Sequence, residues 1–148
     1  MTNPSSPAAT SAALLAQDLR ALMRKLKRQL REQSLTHDLA PSQVSVLLRL
    51  EKDGPATASA LARAEGMRPQ SMAPILPVLE HAGLVERAAD PNDGRKTLFS
   101  MTDACRHWLE EARAARQDWL TRTLQARLTS AELDRVADAV VLLQRLVE

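Results

Sequence analysis

Between Pro41 and Met101 the chain alternates short apolar helical segments with turn formers so closely that few folds accommodate it. Pro41 can open a helix, because its missing N–H falls in the unbonded first turn. That helix runs through Val44, Leu47, Leu48 and Leu50 and stops at Asp53-Gly54-Pro55. Thr57 caps a short helix over Ala58–Glu65, anchored by Leu61 and ended by Gly66. Pro69 starts another that ends at Gly83. Two short helices joined by a tight glycine turn form a helix-turn-helix. Leu84–Ala88 and Lys96–Met101 then read as two short strands around Asp90-Pro91-Asn92-Asp93-Gly94, a hairpin with a protruding tip.

The flanks are helical. Leu15, Leu19, Leu22, Leu26 and Leu30 recur at steps of three and four, marking a long amphipathic first helix. Its other side carries Arg20, Arg24, Lys25, Lys27, Arg28 and Arg31, a solvated face or a phosphate-contacting strip. Thr102 and Asp103 open a helix containing Trp108, Ala112, Ala115, Trp119 and Leu124; Thr129-Ser130-Ala131-Glu132 matches a capping box and opens the last, with Leu133, Val136, Val140 and Leu143. The chain is thus mainly α with a small β-hairpin wing. It divides into a Pro/Ser/Ala/Thr-rich tail (1–12), an N-terminal dimerisation helix (13–40), a winged helix-turn-helix domain (41–101) and C-terminal dimerisation helices (102–148). The helical flanks carry more apolar surface than so small a wing domain can cover, so a homodimer is expected.

Composition narrows the function. The tail has no basic n-region or apolar core, and the longest C-terminal stretch without a polar residue, Ala139–Leu143, is far short of the roughly 20 residues of a membrane span. One cysteine excludes an internal disulfide and fits a cytoplasmic protein. No nucleophile–base constellation or phosphate-cradling glycine loop is visible, so no enzyme and no cofactor are expected. Cys105 and His107, two residues apart on a helix, point about 200° from each other and suggest no metal site, and His37 and His81 lie far from them in sequence. A lone helical cysteine reads as a packing residue. Trp108 and Trp119, eleven residues apart, share nearly one helical face, which favours core or dimer packing over a ligand cage. Residues 41–101 hold seven basic and seven acidic side chains, so attraction to phosphate must come from charge placement.

Taken in order, Leu39-Ala40-Pro41-Ser42-Gln43, Leu61-Ala62, Leu79-Glu80-His81-Ala82-Gly83-Leu84-Val85-Glu86-Arg87, Asp90-Pro91-Asn92-Asp93-Gly94-Arg95 and Met101-Thr102 resemble the MarR family of winged-helix regulators. The resemblance implies a homodimer on a pseudo-palindromic operator, with each recognition helix in a major groove and each wing at the adjacent minor groove. It also implies a repressor released by a small anionic or phenolic ligand lodged between DNA-binding and dimerisation helices. Within that frame Arg95 enters the minor groove, and Asp93 resembles the family's acid that orients the wing arginine by charge-assisted hydrogen bonds. Lys96 contacts phosphate, and Arg87 can do so from the first strand. In the recognition helix Met72, Ile75, Leu76 and Leu79 face the core, which leaves Arg68, Gln70 and Ser71 as the hydrogen-bonding candidates for bases or phosphates. Pro74 and Pro77 depart from the family, which carries polar or basic residues there, and they predict a bent helix. Ala40 departs too, where the family has a capping threonine. The apolar recognition face and the neutral charge of residues 41–101 leave one alternative, a winged-helix dimer acting mainly through protein partners.

Overall fold

The computed structural model describes residues 7–33 and 38–148, with side chains from residue 11 onward. In chain order the elements are α1 (Pro7–Glu32), α2 (Pro41–Asp53), α3 (Ala58–Ala64), α4 (Pro69–Met72), α5 (Ile75–His81), β1 (Val85–Ala89), β2 (Thr97–Met101), α6 (Asp103–Arg127) and α7 (Ser130–Gln144). One expectation needs correction at once. The tail expected through residue 12 is helical from Pro7, in a stretch rich in alanine, the strongest helix former. His37 lies outside the described residues.

The chain forms two compact units, one of α1 with residues 113–148, the other ending at Ala112. The expected boundary at residue 101 therefore moves eleven residues on, into the middle of α6. The reason is packing: Cys105, Leu109 and Ala112 on the first turns of α6 are buried, and Cys105 and Leu109 belong to one core with α2, α3, α4, α5 and both strands.

In this second unit the core gathers Val46, Leu47 and Leu50 of α2, Leu61 and Ala62 of α3, Met72 of α4, Ile75, Leu76 and Leu79 of α5, and Phe99 and Met101 of β2. The four recognition-segment residues expected to face inward are all buried. In α2 the buried set includes Val46, whereas Leu48 stays 43% exposed. β1 and β2 pair antiparallel with Val85 opposite Met101 and Ala89 opposite Thr97. A third extended piece, absent from the sequence reading, joins them: Ala56 and Phe99 exchange both main-chain bonds, at 3.0 and 2.8 Å.

Local chemistry sets the helix ends. Thr57 Oγ1 accepts from the Ala60 amide at 3.1 Å, as its cap position requires. Ala40 has no side-chain acceptor, but its own amide donates to Gln43 Oε1 at 2.9 Å, so half of a capping box survives. Thr129 and Glu132 complete theirs, with bonds of 3.2 and 3.0 Å, and the Thr129 amide, donating to the Glu132 carboxylate, holds that carboxyl below its ordinary value. Gly66 and Gly83 take φ of 63° and 75°, the left-handed conformation that ends α3 and the recognition segment.

The helical unit leaves large apolar side chains bare. On α1 Leu15 and Leu22 are 66% and 58% exposed; on α7 Val136, Val140 and Leu143 are 40%, 48% and 40% exposed, and nothing on α7 is buried.

Candidate nucleic-acid interface

The recognition segment is not one helix. α4 closes with the Ala73 amide on the Pro69 carbonyl at 3.0 Å. Pro74 has no N–H to offer the Gln70 carbonyl, and Pro77 has none for that of Ala73. Ala73 (φ −53°, ψ −41°) and Pro74 (φ −78°, ψ −15°) keep right-handed backbone, and α5 starts at Ile75. The expected bend is therefore a break at Ala73–Pro74: Pro74 removes a rung there, whereas Pro77, the third residue of α5, falls in a first turn whose amides need no intrahelical partner. Each short piece is still pinned by its buried residues, Met72 on α4 and Ile75, Leu76 and Leu79 on α5.

Arg68, Gln70 and Ser71 are exposed at the start of this segment, and Ala73, Pro74, Pro77 and Val78 continue the exposed face. Arg68 occupies the N-cap position of α4, where its carbonyl accepts from the Ser71 and Met72 amides at 2.9 and 3.2 Å and its side chain makes no cap bond.

The wing tip is a compact turn built from its own acids. Asp90 Oδ1 accepts from the Asn92 amide at 2.9 Å and Asp93 Oδ1 from the Arg95 amide at 3.1 Å. Main-chain bonds from Lys96 to Asp93 at 3.0 Å and from Asp90 to Lys96 at 2.9 Å close the loop. Asp93 thus holds the main chain of Arg95, where a pairing with its guanidinium was expected. A short carboxylate two residues back reaches an amide more readily than the end of a long side chain. Arg95 and Lys96 are exposed, and among the described residues neither side chain has an ion-pair partner.

Arg87 is engaged elsewhere. Its Nε donates to Glu80 Oε2 at 2.8 Å and its Nη2 to Glu80 Oε1, a two-point clamp from β1 to α5. The guanidinium also lies 5.3 Å from the centre of the Phe99 ring, its cross-strand neighbour. Hydrogen bonding to Arg87 lowers the Glu80 pKa and raises that of Arg87. A phosphate could meet this guanidinium only beside a carboxylate.

Two further contacts position the unit and escape a sequence reading. Glu65, at the C-cap of α3, accepts from Ser45 Oγ at 2.7 Å and Arg49 Nε at 3.2 Å, tying α3 to α2. Thr102 Oγ1 donates to the Gly83 carbonyl at 2.7 Å and accepts from the Cys105 amide at 3.1 Å, joining the end of the recognition segment to the start of α6. The Gly83–Leu84 and Met101–Thr102 pairs were visible as motifs; their mutual contact was not. Cys105 itself is fully buried in the core, and loss of solvation pushes its thiol up to about 11. Trp108 packs against the same core, while Trp119 lies in the helical unit, so one helical face serves two units. Among the described residues no group of three His, Cys, Asp or Glu side chains could hold a metal ion, and no helix is long and apolar enough to cross a membrane.

Residues 39–97 match the sequence pattern of the MarR family. The chain is also 38% identical over 138 residues to an HTH-type transcriptional regulator of Mycobacterium tuberculosis, covering 93% of this chain and 96% of that protein. This chain belongs to the MarR family. It is therefore an HTH-type, DNA-binding transcriptional regulator, and the family is one of regulators rather than enzymes. The MarR-like fold recurs in a transcriptional regulator protein from Pseudomonas aeruginosa, with a TM-score of 0.78 and 36% identity, covering 93% of this chain and 96% of that one. It recurs also in a MepR variant of S. aureus bound to an oligodeoxyribonucleotide, with a TM-score of 0.72 at 20% identity over 90% of this chain and 98% of that one.

Proposed function

We propose that the protein is a cytoplasmic, homodimeric repressor that binds a pseudo-palindromic operator and is released by a small anionic or phenolic ligand. Arg68, Gln70 and Ser71 meet base edges and phosphates in the major groove, Arg95 enters the minor groove, and Lys96 neutralises a neighbouring phosphate. Asp93 presents Arg95 by fixing its main chain, and Arg87 braces the recognition segment through Glu80. Half-sites lie about one helical turn apart, roughly 10 bp.

One observation carries this reading: Arg68, Arg95 and Lys96 are exposed with no acidic side-chain partner among the described residues, whereas Glu65 and Glu80 are each held by an arginine. The bare apolar faces of α1 and α7 support the dimer, since large contiguous apolar surface marks an interaction site. The test is recovery and sequencing of random DNA fragments retained by the purified protein. Enrichment of an inverted repeat that loses its preference in Arg68→Ala supports the reading. Sedimentation at micromolar concentration should show a dimer, and a folded monomer would remove that element.

A second reading, a winged-helix dimer acting mainly through protein partners, draws support from the exposed Ala73, Pro74, Pro77 and Val78, of which Val78 is 46% exposed. No enrichment of any DNA fragment would favour it.

A further inference from the structure

Beyond its hydrogen-bonding residues, the recognition segment presents an apolar face to solvent. Ala73, Pro74, Pro77 and Val78 are exposed, Val78 by 46%, while Met72, Ile75, Leu76 and Leu79 of the same segment are buried. Ala73 and Pro74 keep right-handed backbone across the break, so steps of three and four still bring the exposed residues to one side. No Asp or Glu stands between Glu65 and Glu80, and both of those are held by arginines. At its start the face adjoins Arg68, Gln70 and Ser71. It is therefore apolar, free of negative charge and continuous with the residues assigned to the major groove.

The chemistry of base edges limits what such a face can meet. In the major groove guanine, cytosine and adenine offer hydrogen-bonding groups, whereas thymine adds a C5-methyl group. The side chains of Ala73, Pro74, Pro77 and Val78 neither donate nor accept. Against a guanine or cytosine edge they would strip water from polar atoms and return no bond. Against a thymine methyl they bury apolar surface on both sides. Rigidity strengthens the preference. Alanine and proline have no side-chain rotamers to lose, and the buried residues of α4 and α5 pin the backbone that carries them. The surface is thus in shape before DNA arrives, and binding costs it little ordering.

We infer that Ala73, Pro74 and Pro77 select thymine by its C5-methyl group, so that each half-site carries at least one thymine recognised without a hydrogen bond. Val78 widens the same apolar surface. The inference rests on the DNA-binding reading above and adds to it the base that the uncharged part of the segment reads.

Selection from a random duplex library, followed by deoxyuridine substitution in the operator recovered, tests this. Uracil keeps the hydrogen-bonding groups of thymine and lacks only the methyl. Thymine should dominate one or more positions of each half-site. Deoxyuridine at one such position in both half-sites should lower affinity about tenfold by fluorescence anisotropy, at about three- to fivefold per methyl. Pro74→Ser/Pro77→Ser removes apolar surface at exposed positions and should keep the parent's circular dichroism. Its preference for thymine over uracil should fall below twofold. Ala73→Ser, which leaves every backbone donor in place, should lower the same preference and decides the matter if the double variant fails to fold. Equal affinity for thymine and uracil at every position of an enriched operator overturns the inference and leaves the DNA-binding reading standing. So does a preference for thymine that the serine variants keep. Enrichment of no sequence at all overturns both, and gives the face to a protein partner.

Discussion

Replacing Glu65 with alanine tests how much one carboxylate contributes to holding α3 against α2. The side chain is only 11% exposed and accepts two bonds, from Ser45 Oγ at 2.7 Å and Arg49 Nε at 3.2 Å. A hydrogen bond to a charged group contributes about 1.5–3 kcal/mol net when desolvated. Here the lower end applies, because Arg49 is 34% exposed and keeps Asp53 at 3.7 Å and the Ala64 carbonyl at 3.3 Å. Ser45, half-buried, is left without its acceptor. The two losses together come to about 2–3 kcal/mol, or roughly 5–10 °C in the melting midpoint for a chain of this size. Urea denaturation followed by far-ultraviolet circular dichroism measures it, with an unchanged m-value as the sign that only stability moved. Ser45→Ala and the double variant complete a cycle, with a coupling of about 1 kcal/mol expected for a partly buried charged bond. A Glu65→Ala loss under about 0.5 kcal/mol, the range of ordinary surface substitutions, would refute the reasoning, and so would strict additivity with Ser45→Ala.

Arg95→Ala should lower operator affinity at least tenfold and leave the melting midpoint within about 1 °C, because alanine keeps the amide that Asp93 holds; equal affinities at several salt concentrations would remove the wing from the interface. Lys96→Ala should weaken binding to all sequences alike and flatten the salt dependence by about one unit of slope per protomer, which a fluorescence-anisotropy salt series reads directly. Pro74→Arg should raise non-specific DNA affinity severalfold and change the preferred operator, and an unchanged preference would leave the prolines a purely structural role. Cys105 stays protonated in the fold up to about pH 11, against an ordinary value of 9.0. The folded state therefore binds the extra proton, and stability should fall as pH rises from about 9 to about 11, by about 2–3 kcal/mol at most. Chemical denaturation of the parent and Cys105→Ala across that range checks it, since the difference between them should shrink as pH rises.

Legibility in the sequence tracks the distance along the chain over which each feature is decided. The Thr129–Glu132 box and the Thr57 cap are settled within three residues, and both were readable. The inward face of Met72, Ile75, Leu76 and Leu79 follows from period alone. The bond from Arg49 to Glu65 spans 16 residues, and the Ala56–Phe99 pairing spans more, so no local pattern announces either. The unit boundary inside α6 escaped for a related reason: a continuous helix carries no sign of where its neighbours change, and Cys105 and Leu109 look like any other apolar step. Pro7 and the alanines after it lie in a polar, proline-containing stretch whose composition suggests a tail, whereas alanine's helix propensity and a proline in the first turn favour the helix observed. The prolines of the recognition segment predict the right kind of disturbance and the wrong degree, since Pro74 falls where one short helix ends and Pro77 in the first turn of the next.

Electrical neutrality of residues 41–101 looks at first like an argument against DNA, and the geometry turns it into a device for directing charge. Glu65 faces Arg49, and Asp53 lies 3.7 Å from the same guanidinium. Glu80 takes both ends of Arg87. Three carboxylates thus face two guanidiniums, so most of their field, though not all of it, cancels a few ångströms away. Asp90 and Asp93 keep their charge but turn an oxygen onto amides of their own loop. Cations without such partners remain at the start of α4 and just past the wing tip, the two places where a helix-turn-helix and a wing meet a duplex. A phosphate approaching Arg68, Arg95 or Lys96 therefore meets an exposed cation with no acidic side-chain partner among the described residues, even though Asp90 and Asp93 balance the charge of the wing tip as a whole. With so few such cations, the proposed reading assigns specificity to shape and hydrogen bonding at the exposed, uncharged Gln70, Ser71, Ala73 and Pro74 rather than to bulk attraction.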